Sequence, residues 1–286
     1  MTIHEAQQQL LFQLYHVYDN REAANIADWV MEHITGWKKI DRIINKQVPL
    51  LPHRIEQLEQ FTTELLAHKP VQYVLHEAWF CGMPFYVDEH VLIPRPETEE
   101  LVDWIVQDIR LLTSDFKLLD IGTGSGCIPI ALKKKLPGAQ VYSCDVSEGA
   151  LAVARKNATA QQADIHLLQA DFLNRDSWQQ LPSVNIIVSN PPYIPQSDEH
   201  TMQPNVLKYE PHVALFVPND DALLFYKAIA EFAQQKLQSG GSIYAEIHED
   251  LGEQTKALFL SKGFSSVEIK KDMQGKDRMV KILNLE

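Results

Sequence analysis

The segment Lys117-Leu118-Leu119-Asp120-Ile121-Gly122-Thr123-Gly124-Ser125-Gly126-Cys127-Ile128-Pro129 decides the fold. Lys117–Ile121 is a short apolar strand, three glycines follow within five positions, and Ser125–Leu136 has helical spacing. A strand that turns through glycines into a helix is the opening unit of a doubly wound α/β sheet. The glycines allow a sharp turn and a close approach of backbone to ligand, and the N–H groups at the helix start add positive potential. The dinucleotide pattern G-x-G-x-x-G would need glycine where Cys127 stands, so a nucleoside cofactor other than NAD is expected.

Working outward, the chain alternates. Gln140–Asp145, Asp164–Gln169 and Val184–Ser189 read as strands and Ser147–Ala160 as a helix. Ala222–Leu237 is helical, and Gly240-Gly241 separates it from the strand Ser242–Glu246. Asp250–Ser261 is a further helix, and Val267–Ile269 with Met279–Leu283 forms a closing antiparallel edge. This grammar predicts a mostly parallel sheet covered on both faces. Upstream, Thr98–Leu112 is helical through Leu101, Ile105 and Ile109. The first seventy residues read as short amphipathic helices carrying Leu10, Leu14 and Val17, then Ala23, Ala27, Val30 and Ile34, then Leu58, Phe61 and Leu65. Gly36, Pro49 and Pro52 fall between these segments, and Pro70 is expected to end the last helix. From Val71, aromatic and β-branched residues broken by Gly82 and Pro84 predict a β-hairpin. The expected organisation is a helical domain over 1–70, a hairpin linker over 71–90 and an α/β domain over 91–286.

Composition removes several function classes. At 286 residues the chain is about twice the usual single-domain size. Lys plus Arg is 26 against 38 Asp plus Glu, a net charge of −12, which argues against a broad phosphate-neutralising surface and hence against stable nucleic-acid binding. No apolar run reaches the roughly 18 to 20 residues needed to cross a bilayer, and Met1–Leu10 is polar, so no membrane association and a cytoplasmic address are expected. Cys81, Cys127 and Cys144 have no CxxC spacing, and the eleven histidines show neither H-x-H nor H-E-x-x-H, so no metal is expected.

Asp145 ends its strand nineteen positions after Gly126, where an acidic side chain can accept hydrogen bonds from ribose hydroxyls. The alternative is that Asp145 only caps the helix beginning near Ser147. Ser189-Asn190-Pro191-Pro192-Tyr193 stands at the carboxyl end of the Val184–Ser189 strand, the edge where open α/β sheets bind ligands. Two prolines fix φ and supply no N–H, leaving carbonyls as acceptors. The Asn190 side-chain oxygen and the Pro191 carbonyl could take the two hydrogens of a planar NH₂ group, with Tyr193 as an aromatic wall. The bland alternative is that the prolines simply end a strand. Glu97, Glu99 and Glu100 suit the first turn of a helix. Arg95 fits either a ligand or a carboxylate partner, and Trp178 fits packing better than stacking.

These residues resemble the class I S-adenosylmethionine-dependent methyltransferases, among them the adenine-N6 and glutamine-N5 enzymes that share Asn-Pro-Pro-Tyr. Val91-Leu92-Ile93-Pro94-Arg95-Pro96-Glu97-Thr98-Glu99, Pro70-Val71-Gln72-Tyr73, Tyr209-Glu210-Pro211 with Ala214-Leu215, and Asp272-Met273-Gln274-Gly275-Lys276-Asp277-Arg278 are similar to the HemK/PrmC family across essentially the whole chain. Two departures are His76, where the family usually has glycine, and Asp171-Phe172, where some members carry tryptophan. The resemblance implies a Rossmann-like seven-stranded methyltransferase domain behind an N-terminal helical substrate-recognition bundle. It also implies S-adenosyl-L-methionine as methyl donor and methylation of the glutamine in the Gly-Gly-Gln motif of peptide chain release factors. It places Gly122, Thr123, Gly124, Ser125, Gly126, Asp145, Phe172 and Asn190 in the cofactor pocket, and Asn190, Pro191, Pro192 and Tyr193 in the catalytic glutamine pocket. A monomer is expected. The competing reading, a DNA adenine-N6 methyltransferase, usually needs a basic groove, whereas residues 1–88 hold 7 Lys plus Arg against 11 Asp plus Glu.

Overall fold

A computed structural model describes residues 1–109 and 116–284. The chain divides into two compact units. The first comprises Met1–Glu77 with Gln203–Tyr209, and the second Ala78–Met202 with Glu210–Glu286.

The first unit is built on α1 (Ile3–Leu14), α2 (Asn20–Thr35), α3 (Lys39–Ile44), α4 (Pro52–Leu66) and α5 (Val71–Leu75). Thr2 and Glu5 form a capping box on α1, Asp19 caps α2 through the N–H groups of Arg21 and Glu22, and Pro52 occupies the first turn of α4, where a missing N–H costs nothing. The predicted apolar stripes converge, with Leu10, Leu14, Ala23, Ala27, Val30, Ile34, Leu58, Phe61 and Leu65 in one buried cluster, but Val17 lies beyond the end of α1 and outside that cluster. Short α3 leaves Ile40, Ile43 and Ile44 exposed.

Two expectations fail here. The last long helix stops at Leu66, so Pro70 does not end it, and Pro70 instead precedes α5. The β-rich stretch from Val71 is helical at first, because Tyr73, Val74 and Leu75 are all buried and tertiary burial outweighs the modest β preference of those side chains. α5 ends at His76 in the left-handed region, φ 53°.

The second unit opens with an antiparallel hairpin, β1 (Ala78–Phe80) and β2 (Met83–Phe85), followed by α6 (Pro96–Ile109). The expected end of α6 at Leu112 lies outside the described residues. Then come β3 (Lys117–Ile121), α7 (Cys127–Lys135), β4 (Gln140–Asp145), α8 (Glu148–Gln161), β5 (His166–Gln169), β6 (Val184–Ser189) and the two-residue β7 (Ile194–Pro195). The chain passes through α9 (Pro204–Tyr209), which belongs to the first unit, where the Tyr209 hydroxyl donates to the Ala67 carbonyl at 2.8 Å. It closes with β8 (Phe216–Val217), α10 (Leu224–Lys236), β9 (Leu237–Glu246), α11 (Gly252–Ser261), β10 (Ser266–Lys271) and β11 (Asp277–Leu283).

Seven strands form one sheet in the order β10-β11-β9-β6-β3-β4-β5. β11 runs antiparallel to both of its neighbours, and the pairs among β9, β6, β3, β4 and β5 are parallel. Separate apolar clusters on the two faces account for the uninterrupted apolar runs of β3 and β6. Gly240-Gly241 does not precede β9 but lies inside it. Val184 pairs with Leu237 and Ile186 with Ser242, so residues between them bulge out, and a Cβ on Gly241 would sit 2.7 Å from the Asn185 carbonyl oxygen.

The register positions the site. Ile121 pairs with Cys144 on one side and Ser189 on the other, and Ser189 pairs with Ala245. The next residues, Gly122, Asp145, Asn190 and Glu246, therefore leave four adjacent strands at one level. The chain moves from β3 outward to β4 on one side while β6 fills the other, the topological switch point at which such sheets bind ligands.

Candidate active site

A cavity of about 360 Å³ opens at this sheet edge. Its wall includes Gly122, Thr123, Gly124 and Ser125, but not Gly126, together with Asp145, Phe172, Asn190, Pro191 and Pro192. Gly122, Gly124 and Gly126 all have left-handed φ, 86°, 52° and 81°. Gly126 is the tightest: a Cβ there would meet Ile130 Cδ1 at 3.1 Å and Ala154 Cβ at 3.2 Å, so glycine at this position lets α7 pack on α8. Two buried networks hold the loop. Asn157 on α8 donates to the Ser125 carbonyl at 2.8 Å and exchanges hydrogen bonds with both backbone groups of Tyr86. Below it, the Ser143 hydroxyl donates to Asp120 Oδ2 at 2.5 Å and lies 2.6 Å from Thr123 Oγ1.

Asp145 does not cap α8. Ser147 does so, accepting from the Ala150 N–H, while Asp145 Oδ2 accepts from the Gly124 N–H and Oδ1 from the Ser147 N–H, both at 2.9 Å. Burial pushes the Asp145 carboxyl up, and the backbone hydrogen bonds hold it down. An ionised carboxylate offers about four lone-pair sites, more than its backbone donors use, so acceptor capacity remains for ligand hydroxyls. Phe172 is buried against Trp178 and Phe232, and the Trp178 indole donates to the Phe172 carbonyl at 2.8 Å, which makes Trp178 a core residue supporting Phe172. Apolar walls, a paired acceptor and a glycine loop whose Ser125 Oγ is buried with no partner among the described residues suit an adenosine group.

On the other flank, Asn190 Nδ2 donates to Thr98 Oγ1 at 3.2 Å, and Thr98 Oγ1 donates to Glu246 Oε2 at 2.7 Å. Among the described residues, the Asn190 side-chain oxygen has no hydrogen bond. Tyr193 departs from expectation. It is not among the residues lining the cavity, and its hydroxyl donates to Glu246 Oε1 at 2.9 Å, which anchors the turn. A half-buried phenol finds a hydrogen-bond partner, and Glu246 supplies it. Burial pushes both the Tyr193 hydroxyl and the Glu246 carboxyl up.

Arg95 lines the cavity and pairs with the buried Glu210 at 2.5 Å, and Glu210 also accepts from the Ile93 N–H at 3.2 Å. Glu97 and Glu100 accept from Gln274 and from the Met273 N–H, which binds the start of α6 to the β10–β11 turn. Among the described residues no group of three or more His, Cys, Asp or Glu is arranged to hold a metal ion. Sequence reasoning missed Thr98, Glu246, Glu210 and Asn157. Glu246 carried a readable signal, since an acid closing an apolar strand is the same mark that singled out Asp145.

Known proteins resemble both parts of the chain. The family described as PrmC N-terminal domain matches residues 5–75 and that described as Methyltransferase small domain matches residues 102–208. The release factor glutamine methyltransferase of Flavobacterium psychrophilum is 41% identical over 284 residues, 99% of each chain. That of Streptococcus pneumoniae is 44% identical over 78% of each. A methyltransferase structure from Pyrococcus furiosus shares the fold at a TM-score of 0.52 and 18% identity, covering 82% of this chain and 99% of its own. With both domains matched and relatives of this similarity over nearly its full length, the chain belongs to the HemK/PrmC family of release factor glutamine methyltransferases.

Proposed function

We infer that this protein transfers a methyl group from S-adenosyl-L-methionine to the side-chain amide nitrogen of the glutamine in the Gly-Gly-Gln motif of peptide chain release factors. The observation that carries the reading is the Asn190 carboxamide, whose NH₂ end is tied to Thr98 and whose oxygen end is left for a ligand beside Pro191 and the glycine loop. Residues Gly122–Gly126, Asp145 and Phe172 would hold the cofactor, which supplies a methyl group already activated on a sulfonium.

An amide nitrogen is a poor nucleophile, because its lone pair is delocalised into the carbonyl. The chain's task is therefore positioning. Asn190 Oδ1 and the Pro191 carbonyl accept the two amide hydrogens, aim the nitrogen and stabilise the positive charge that develops on it. No strong base is needed, since the extra proton of an N-alkylated amide is acidic enough to leave to water or to one of these acceptors. Tyr193 acts in this scheme by bracing the turn.

The helical unit recognises the protein substrate. Its support is α3, where Ile40, Ile43 and Ile44 are at least 58% exposed on one helical face, a grouping that marks an interaction surface more than scattered exposure does. The enzyme acts as a cytoplasmic monomer. Incubation with labelled S-adenosyl-L-methionine and either a release factor or DNA tests the assignment; label on DNA and none on the release factor would reject it.

A further inference from the structure

We propose that Glu246 is a positioning residue that fixes which end of the Asn190 carboxamide faces the substrate. The inference deepens the glutamine-methylation reading and rests on it. Glu246 ends β9 at the level of Asn190 and is 2% exposed. Its two carboxylate oxygens each accept one hydroxyl, Oε2 from Thr98 and Oε1 from Tyr193. Burial pushes its carboxyl up, and the two hydroxyl hydrogen bonds, with the charge of Arg278, act against that rise.

Both hydrogen bonds run to the carboxylate oxygens, so each hydroxyl is the donor in its pair. Thr98 has one hydroxyl hydrogen, and Glu246 takes it. The Thr98 oxygen can then only accept, which requires the NH₂ end of Asn190 at that contact and sends Oδ1 the other way. Glu246 thus sets the polarity of a three-residue chain whose far end is the acceptor for the substrate amide. Through Tyr193 it also grips the last residue of the same Asn-Pro-Pro-Tyr turn.

Glu246→Gln keeps the shape but offers a single acceptor oxygen, so one of the two hydroxyls must reverse. If Thr98 reverses, it donates to Asn190 Oδ1 and turns the NH₂ group toward the substrate's own NH₂. The test measures release-factor methylation, cofactor affinity by calorimetry and a double-mutant cycle with Asn190→Ala. We expect E246Q to lower kcat on the order of 10²-fold, the scale of a misplaced reacting group, with cofactor Kd unchanged within about twofold. In the Asn190→Ala background the same change should cost less than about threefold, because the two residues act as one unit. Parent-like turnover by E246Q, or a full multiplicative loss in the Asn190→Ala background, would overturn the proposal. Should E246Q lose cofactor binding, Thr98→Val breaks the same chain without touching β9; a comparable kcat loss supports the proposal and normal turnover overturns it. The parent enzyme separates the two levels. Failure of the parent to methylate release factors removes the functional reading and this inference together, whereas normal parent activity with normal E246Q activity removes only the inference.

Discussion

Asp145 Oδ2 accepts the Gly124 N–H at 2.9 Å, so the acid at the end of β4 shapes the glycine loop after β3 while keeping lone pairs open to the cavity. In the proposed function the same carboxylate also serves the cofactor, and α8 has its own cap in Ser147.

Asp145→Ala is expected to weaken S-adenosyl-L-methionine binding by roughly 10- to 150-fold, the range for a lost hydrogen bond to a charged group, while kcat at saturating cofactor changes little. Isothermal titration checks this, and an unchanged Kd would remove Asp145 from the ribose site.

Asn190→Ala should act on the opposite quantity. Loss of one preorganised polar group at the reacting atoms lowers kcat on the order of 10²-fold or more, with a modest effect on cofactor affinity. Steady-state kinetics at saturating cofactor measures it, and normal turnover would reject the assigned role.

Position 76 links a sequence oddity to backbone geometry. His76 stands where the family usually has glycine, and its φ of 53° lies in the left-handed region, which costs an L-residue roughly 1–2 kcal/mol. Glycine recovers that strain but loses more chain entropy on folding, so His76→Gly is expected to stabilise the protein by about 0.5–1 kcal/mol. Chemical denaturation reads the difference. A net loss of stability would mean that the imidazole's own contacts outweigh the strain.

Much of this was legible in the residues. The strand–glycine–helix unit, Asp145 and the Asn-Pro-Pro turn each announced themselves locally, because backbone freedom, missing N–H groups and an acid at a strand end are properties of short segments. The mostly parallel sheet followed from alternation, and its seven strands from the family resemblance. What the segments did not carry was pairing at long range. Thr98 and Glu246 are 148 positions apart, and nothing in either neighbourhood names the other. Tyr193 was misread for the same reason: its aromatic ring suggested a wall, but the buried carboxylate that takes its hydroxyl is 53 residues away. Helical α5 was hidden by β-branched residues whose burial came from the rest of the bundle.

Stability should vary with pH through Asp120. Burial pushes its carboxyl from 3.8 up to about 8, against the Ser143 hydrogen bond, and its Oδ1 is buried with no partner among the described residues. A group whose folded pKa is raised contributes fully below its unfolded value, and that contribution is lost as pH rises through the folded value. Relative to Asp120→Asn, the parent should therefore lose melting temperature progressively up to about pH 8. Thermal melts of both proteins across this range decide it; parallel curves would show that Asp120 is ionised throughout.

The α3 face gives a substrate-size test. Ile43→Asp should raise KM for an intact release factor by roughly tenfold, as expected when one interface anchor is lost, and leave KM for a short Gly-Gly-Gln peptide unchanged. Ile43 is 58% exposed, so folding should be unaffected. Equal KM values for parent and variant on the intact protein would move recognition elsewhere.

In the proposed reaction one cavity grips a carboxamide by its two protons and methylates its nitrogen. Fragmentation mass spectrometry of the Gly-Gly-Gln peptide, taken from a release factor co-expressed with this enzyme in cells lacking their own methyltransferase, tests it most directly. The expected spectrum places one added methyl group on the glutamine side chain with the parent enzyme and none with Asn190→Ala. An unmodified glutamine with the active parent, or a methyl group on any other residue, would contradict it.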